Sequence, residues 1–189
     1  MEDSESGKKV DRKSKGKETL FRVAYRNQIS LVQIADNKAN IIISINAMII
    51  SSVIAVSGYG IVADKIAYDK TNIIIPVSLI LLSCLVSAIF AIQAAKPRLV
   101  HPMSLREDKN KSSLLFFGVI SDFKQDQYLE RMEKLLESDH DIYETMTIDL
   151  YNQGLILTRK YKLLNTAYRI FMLGFIISVW IFLAFLVTY

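Results

Sequence analysis

The sequence predicts an all-α membrane protein, with three transmembrane helices and a cytoplasmic helical stalk continuous with the first and third spans. Three observations carry this. Residues 39–63, 71–95 and 170–189 form blocks of 25, 25 and 20 residues without Asp, Glu, Lys or Arg, and about 20 apolar residues cross a hydrocarbon core of roughly 30 Å. Gly (7) and Pro (3) are scarce among 189 residues, which argues against a loop-rich or all-β fold. Outside the blocks, apolar residues recur at helical spacing. Helices buried in a soluble bundle carry a polar stripe, and these blocks lack one. With 51% hydrophobic residues and a mean hydropathy of +0.27, disorder of the whole chain is excluded.

Residues 1–17, MEDSESGKKVDRKSKGK, are polar, charged and free of aromatics, so a disordered tail is expected, either solvated or resting on anionic headgroups. Gly16-Lys17 is not a phosphate loop, because no Gly lies five residues upstream and Glu18 stands where Ser or Thr is needed. From residue 18 to 38, Leu20, Ala24, Asn27, Leu31, Ile34 and Lys38 recur every three to four residues. No Pro or Gly separates this cytoplasmic segment from the first span, residues 39–63, so one helix is expected from about residue 18 to about residue 60. That apolar run begins too late and runs too long for a cleavable leader. Residues 64–70 make a short connector and residues 71–95 the second span.

Pro97 and Pro102 then stop the helix of the second span. Within the cytoplasmic region, residues 96–169, an irregular loop is expected over 97–121, with one apolar patch, Leu114-Leu115-Phe116-Phe117. Residues 126–137 read as amphipathic, with Tyr128, Met132, Leu135 and Leu136 on one side. Then Tyr143, Met146, Leu150, Gly154, Leu157, Tyr161, Leu164, Tyr168, Phe171 and Phe175 form a seam at spacings of three and four, predicting one helix from about 140 to 188 that includes the third span, residues 170–189. Gly154 on this seam suggests close approach of another helix.

Lys and Arg set the orientation. Residues 1–38 hold nine, the 64–70 connector two and residues 96–169 twelve. The N-terminus and the 96–169 region are therefore expected in the cytoplasm, with the connector and C-terminus outside. The pI near 9.1 follows from this topology and requires no nucleic acid partner.

Helices in lipid associate through small residues. Ala47, Ser51 and Ala55, then Ser83, Ser87, Ala91 and Ala95, then Gly174 and Ser178 repeat every four residues. Together they point to a tightly packed bundle, within one chain or between the chains of a homo-oligomer. Asn46 is either hydrogen-bonding glue between helices or a pore-lining group. Cys84, the only cysteine, reads as a small packing residue in mid-span.

Chemistry of the catalytic kind finds little support. His140-Asp141 has the form of a metal dyad, but further His ligands are missing, so neither a metal site nor a cofactor is expected. No Ser/His/Asp arrangement or CxxC occurs in the sequence. A basic cluster is more informative. Arg22 and Arg26 lie one turn apart, Asp36 and Lys38 stand at the membrane edge, and Arg159, Lys160, Lys162 and Arg169 follow on the last helix. Arg holds phosphate bidentately, and Tyr25, Tyr151 and Tyr161 offer rings on which a base could stack. The same residues fit headgroup contact with interfacial tyrosines.

At Ala35-Asp36-Asn37-Lys38-Ala39-Asn40, then Ser44-Ile45-Asn46-Ala47, the chain resembles the transmembrane effectors of Pycsar bacterial antiphage systems. Tyr143, Asp149-Leu150-Tyr151, Gly154, Leu157, Arg159-Lys160-Tyr161, Leu164, Tyr168, Phe171 and Gly174 are similar to that family as well. The resemblance covers about residues 20–186. It implies an effector in the cell inner membrane, activated by cyclic CMP or cyclic UMP from a partner pyrimidine cyclase, which impairs the membrane and kills the infected cell before phage spreads. No separate nucleotide-binding domain is recognisable, so no binding residues carry over by motif. The residues expected to meet the ligand are Arg22, Arg26, Asp36, Lys38, Arg159 and Lys160. Those expected to pack or line a pore are Asn46, Ser51, Ser83, Ser87 and Gly174. The rival readings are a membrane adaptor that recruits a cytoplasmic partner, and a small ion channel.

Overall fold

In lipid, an α-helix satisfies every backbone N–H and C=O within one segment, and long uncharged runs poor in Gly and Pro allow little else. The computed structural model describes residues 2–62, 71–96, 114, 120 and 123–188. Four helices follow one another: α1 (Glu2–Val62), α2 (Thr71–Ala95), α3 (Gln125–Leu136) and α4 (Asp139–Thr188). No strand occurs among the described residues. Helices α1, α2 and α4 are each long and apolar enough to cross a membrane. The 64–70 connector and most of the 97–121 loop lie outside the described residues.

The chain divides into two compact units. The first comprises Met1–Gln33 and Pro97–Leu157, and the second Ile34–Lys96 and Thr158–Tyr189. Helices α1 and α4 supply residues to both.

In the first unit, α1 packs on the early turns of α4. The Phe21 and Tyr143 rings stack with centroids 5.4 Å apart, and the Lys17 ammonium lies 5.3 Å from the Tyr143 ring centre. Farther along the chain, the Arg131 guanidinium sits 4.8 Å from the Phe123 ring, and the Tyr128 hydroxyl donates to the Leu114 carbonyl at 3.4 Å. Helix α3 buries no residue completely. Leu136, assigned from sequence to its apolar side, is 64% exposed.

In the second unit, the core is Ala39 and Ile42 of α1, Ala91 and Ala94 of α2, and Leu164 and Ala167 of α4. Small side chains dominate because close backbone approach is what holds helices together in lipid. Large apolar residues such as Met48, Leu82 and Trp180 point outward, where hydrocarbon solvates them at no cost.

Three local expectations need correction. Helix α1 begins at Glu2, so the tail expected to be disordered is helical backbone. Its Glu, Lys and Arg residues have good helix propensity, and Gly7 and Gly16, with the Ser and Asp residues, oppose it. The seam on α4 is partly out of phase. Buried positions beyond residue 160 are Leu164, Ala167, Gly174 and Ser178, whereas Phe175 is 43% exposed. Ala47, Ser51 and Ala55 are exposed, so they do not pack within the chain, where the buried line on α1 runs through Ala35, Ala39, Ile42 and Asn46.

Candidate functional site

The first unit contains a polar layer that the hydrophobic pattern did not reveal. Asp149 and Asn152 lie three residues apart on α4, a spacing that puts side chains on one face. They are only 1% and 4% exposed. Opposite them on α1 stand Tyr25 and Gln28, also three apart. The Tyr25 hydroxyl donates to the Met146 carbonyl at 3.3 Å, and Gln28 Nε2 donates to the Leu150 carbonyl at 3.4 Å. Both bonds are long.

Neither carboxylate oxygen of Asp149 has a hydrogen-bond partner of normal geometry, nor does Asn152 Nδ2. Burial pushes the Asp149 carboxyl up to about 7, although the nearby Tyr25 hydroxyl acts in the opposite sense. Burial first, and then the charge of Asp149, push Tyr25 up to about 12, so its phenol stays a donor. Gly154 is one turn farther on. A Cβ there would meet Gln28 Nε2 at 3.5 Å, an ordinary contact, so the close approach expected at Gly154 is not a tight one.

Of the cations named from sequence, Arg22 and Arg26 belong to this unit. Both are exposed, and Arg22 forms an ion pair with Glu18 one turn earlier. His140, Asp141 and Glu144 lie at the start of α4, with ligand atoms within 4.8 Å of one another, and all three are exposed. Acidic residues in the first turn complement the helix dipole, which accounts for Asp139 and Asp141 there without a metal.

The second unit gathers the other named residues. Lys160 Nζ pairs with Asp36 at 2.5 Å. Lys38 lies 5.9 Å from the Tyr161 ring centre, and its backbone carbonyl accepts from the Tyr168 hydroxyl at 3.2 Å. Arg159 is exposed. The motif Asp36-Asn37-Lys38 thus has a structural use, tying α1 to α4 through one side chain and one carbonyl.

Deeper in the same unit, Asn46 Nδ2 donates to Ser87 Oγ at 3.0 Å, and Ser87 Oγ donates to the Ala167 carbonyl at 2.9 Å. One chain of bonds therefore joins α1, α2 and α4. Ser178 Oγ donates to the carbonyl of Pro76 at 2.6 Å. A Cβ on Gly174 would overlap the Ser83 side chain, so this glycine is what lets α4 and α2 touch. Asn46, Ser83, Ser87 and Gly174 are brought together as packing residues, whereas Ser51 is exposed.

Sequence reasoning missed Asp149 and Asn152 as buried groups, because an Asp on a water-facing helix reads as solvated. A usable signal was there. Asp149 lies eight residues before Leu157 and fifteen before Leu164, on the same helical face as the buried line.

Among known families, the model described as the Pycsar effector protein domain matches residues 19–188. No curated protein and no solved structure matches the chain.

Proposed function

The chain belongs to the Pycsar effector family, which serves antiphage defence, and from that premise we propose that it is a cyclic-nucleotide-activated effector that impairs the bacterial inner membrane. The observation that carries this reading is the family match over residues 19–188 on a chain with three span-capable helices. In this reading the N-terminus and the 96–169 region face the cytoplasm and the C-terminus lies outside, as the distribution of Lys and Arg favours. A partner pyrimidine cyclase supplies cyclic CMP or cyclic UMP. The nucleotide binds the first unit, where Arg22 and Arg26 offer bidentate donors to its phosphate. Exposed Lys38 and Arg159, in the second unit, meet headgroup phosphates.

A ligand shifts a conformational equilibrium only by its differential affinity for the two states. Here the two states are a closed and a parted packing of α1 on α4. Both helices run without a break into apolar stretches, and this continuity of the backbone is the proposed route by which a change in their packing reaches the spans. Several copies then breach the bilayer together. The outward line of Ala47, Ser51 and Ala55 supports contact between protomers.

The test is dye release from liposomes carrying the full chain, with cyclic CMP or cyclic UMP added. Release on addition of one of them is expected. Arg22→Gln with Arg26→Gln should shift the required nucleotide concentration upward by about tenfold, with unchanged membrane insertion. A membrane adaptor gives no release with either nucleotide. A small channel gives ion-selective unitary currents and retains the dye.

A further inference from the structure

The open hydrogen-bonding atoms of the first unit have a chemical complement. Asp149 presents two buried acceptor oxygens that no donor meets at hydrogen-bonding geometry, the nearby Tyr25 hydroxyl included, and Asn152 presents an N–H group in the same condition one helical turn away. Buried polar groups in folded proteins are almost always satisfied, so this layer is prepared for something. A water molecule can answer either residue alone. A planar group with an N–H beside an acceptor answers both at once. Cytosine offers N4–H beside N3, and uracil offers N3–H beside O4.

We propose that Asp149 and Asn152 read the base edge of the activating nucleotide, with Asp149 accepting its N–H and Asn152 donating to the neighbouring acceptor. The proposal rests on the cyclic-nucleotide reading above and adds the recognition element that reading lacks. The seat is shut in this structure, since the open atoms are shielded from solvent. What shuts it on the α1 side is weak: the 3.3 Å bond from Tyr25 and the 3.4 Å bond from Gln28, both to backbone carbonyls of α4. Base entry exchanges these two long bonds, and the imperfect approach of the Tyr25 hydroxyl to Asp149, for bonds of good geometry to the open atoms. Parting of α1 from α4 is thus a condition of binding, and recognition and activation become one event. The exposed Arg22 and Arg26, on either side of Tyr25 in sequence, are placed to take the phosphate while the base goes inward.

The experiment uses the full chain in lipid nanodiscs and isothermal titration with three probes: cyclic CMP, cyclic UMP and the ribose cyclic phosphate that lacks a base. The wild type should bind one of the pyrimidine nucleotides, and bind the base-free compound at least about tenfold more weakly. Asp149→Asn and Asn152→Asp each exchange hydrogen-bonding character at one contact with almost no change of shape. Each should change the ratio of the two nucleotide affinities by about tenfold. Should one of them fail to fold, the ratio in the other decides. Tight binding with an unchanged ratio in the folded variants, or equal binding of the base-free compound, overturns the base seat and leaves the nucleotide reading intact. A wild type that binds neither nucleotide overturns both.

Discussion

The two units differ in how closely their buried polar groups are bonded. In the second, Asn46, Ser87 and Ser178 make bonds of 2.6–3.0 Å that link helices to one another, and one buried atom, Asn46 Oδ1, is left open. In the first, bonds between α1 and α4 are 3.3–3.4 Å, and Asp149 and Asn152 leave three atoms open. The glycines repeat the contrast. Gly174 admits no Cβ, whereas Gly154 has room for one. Short bonds between closely packed helices resist rearrangement, and long bonds in looser packing are where regions of low local stability arise. The second unit is the more tightly bonded of the two, and the first is the one that the proposed activation would part.

The sharpest way to break this comparison is through Asp149. The unfolded chain releases its proton near 3.8 and the folded chain near 7. The raised value means that the contribution favouring the fold is complete below pH 3.8 and is lost as pH rises through about 7. Wild-type unfolding free energy should fall on the order of 3 kcal/mol across that window from this residue. Asp149→Asn should abolish the slope and be the more stable protein at pH 8, as measured by denaturant unfolding in micelles. An identical slope in the variant would show that the first unit is as settled as the second.

Next in size is Gly174→Ala, which forces a Cβ into Ser83. It should cost about 2 kcal/mol by overpacking, and Ser83→Gly should restore much of this in the double variant. Thermal unfolding of the four proteins in one detergent measures the coupling. The smallest effect belongs to Gly154→Ala, which replaces a poor helix former where space exists. It should stabilise the fold by about 0.5 kcal/mol, readable as a small rise in Tm. A loss there as large as at Gly174 would erase the distinction between the units.

Much of this architecture was legible in the residues. The uncharged run 71–95 is the whole of α2, and the periodicity from Tyr143 onward foretold α4 to within a residue or two. Charge-free length is a strong signal because lipid leaves the backbone few options. The rotation of each helix was harder to read. On α4 the aromatic line through Phe175 and the small-residue line through Gly174 and Ser178 are one position apart. In water the aromatics would be buried. In lipid they face outward and the small residues pack, so the usual rule points the wrong way. Ala47, Ser51 and Ala55 do not follow this rule within one chain, since small residues alone do not say which neighbour they meet. Of the site residues, Asn46, Ser87 and Gly174 declared themselves by polarity or size within apolar runs. Asp149 did not, because a carboxylate outside the apolar blocks reads as solvated, although it is the only charged residue between Glu144 and Arg159 and lies on the face of the buried line.

Asn46 spends its amide nitrogen on Ser87 and leaves its oxygen facing no donor. An open acceptor in the middle of a greasy layer lowers the barrier to hydration at that spot. If the three rods loosen, the first molecule of solvent to venture inside finds a foothold there, so wetting begins at the heart of the bundle and spreads toward its rims.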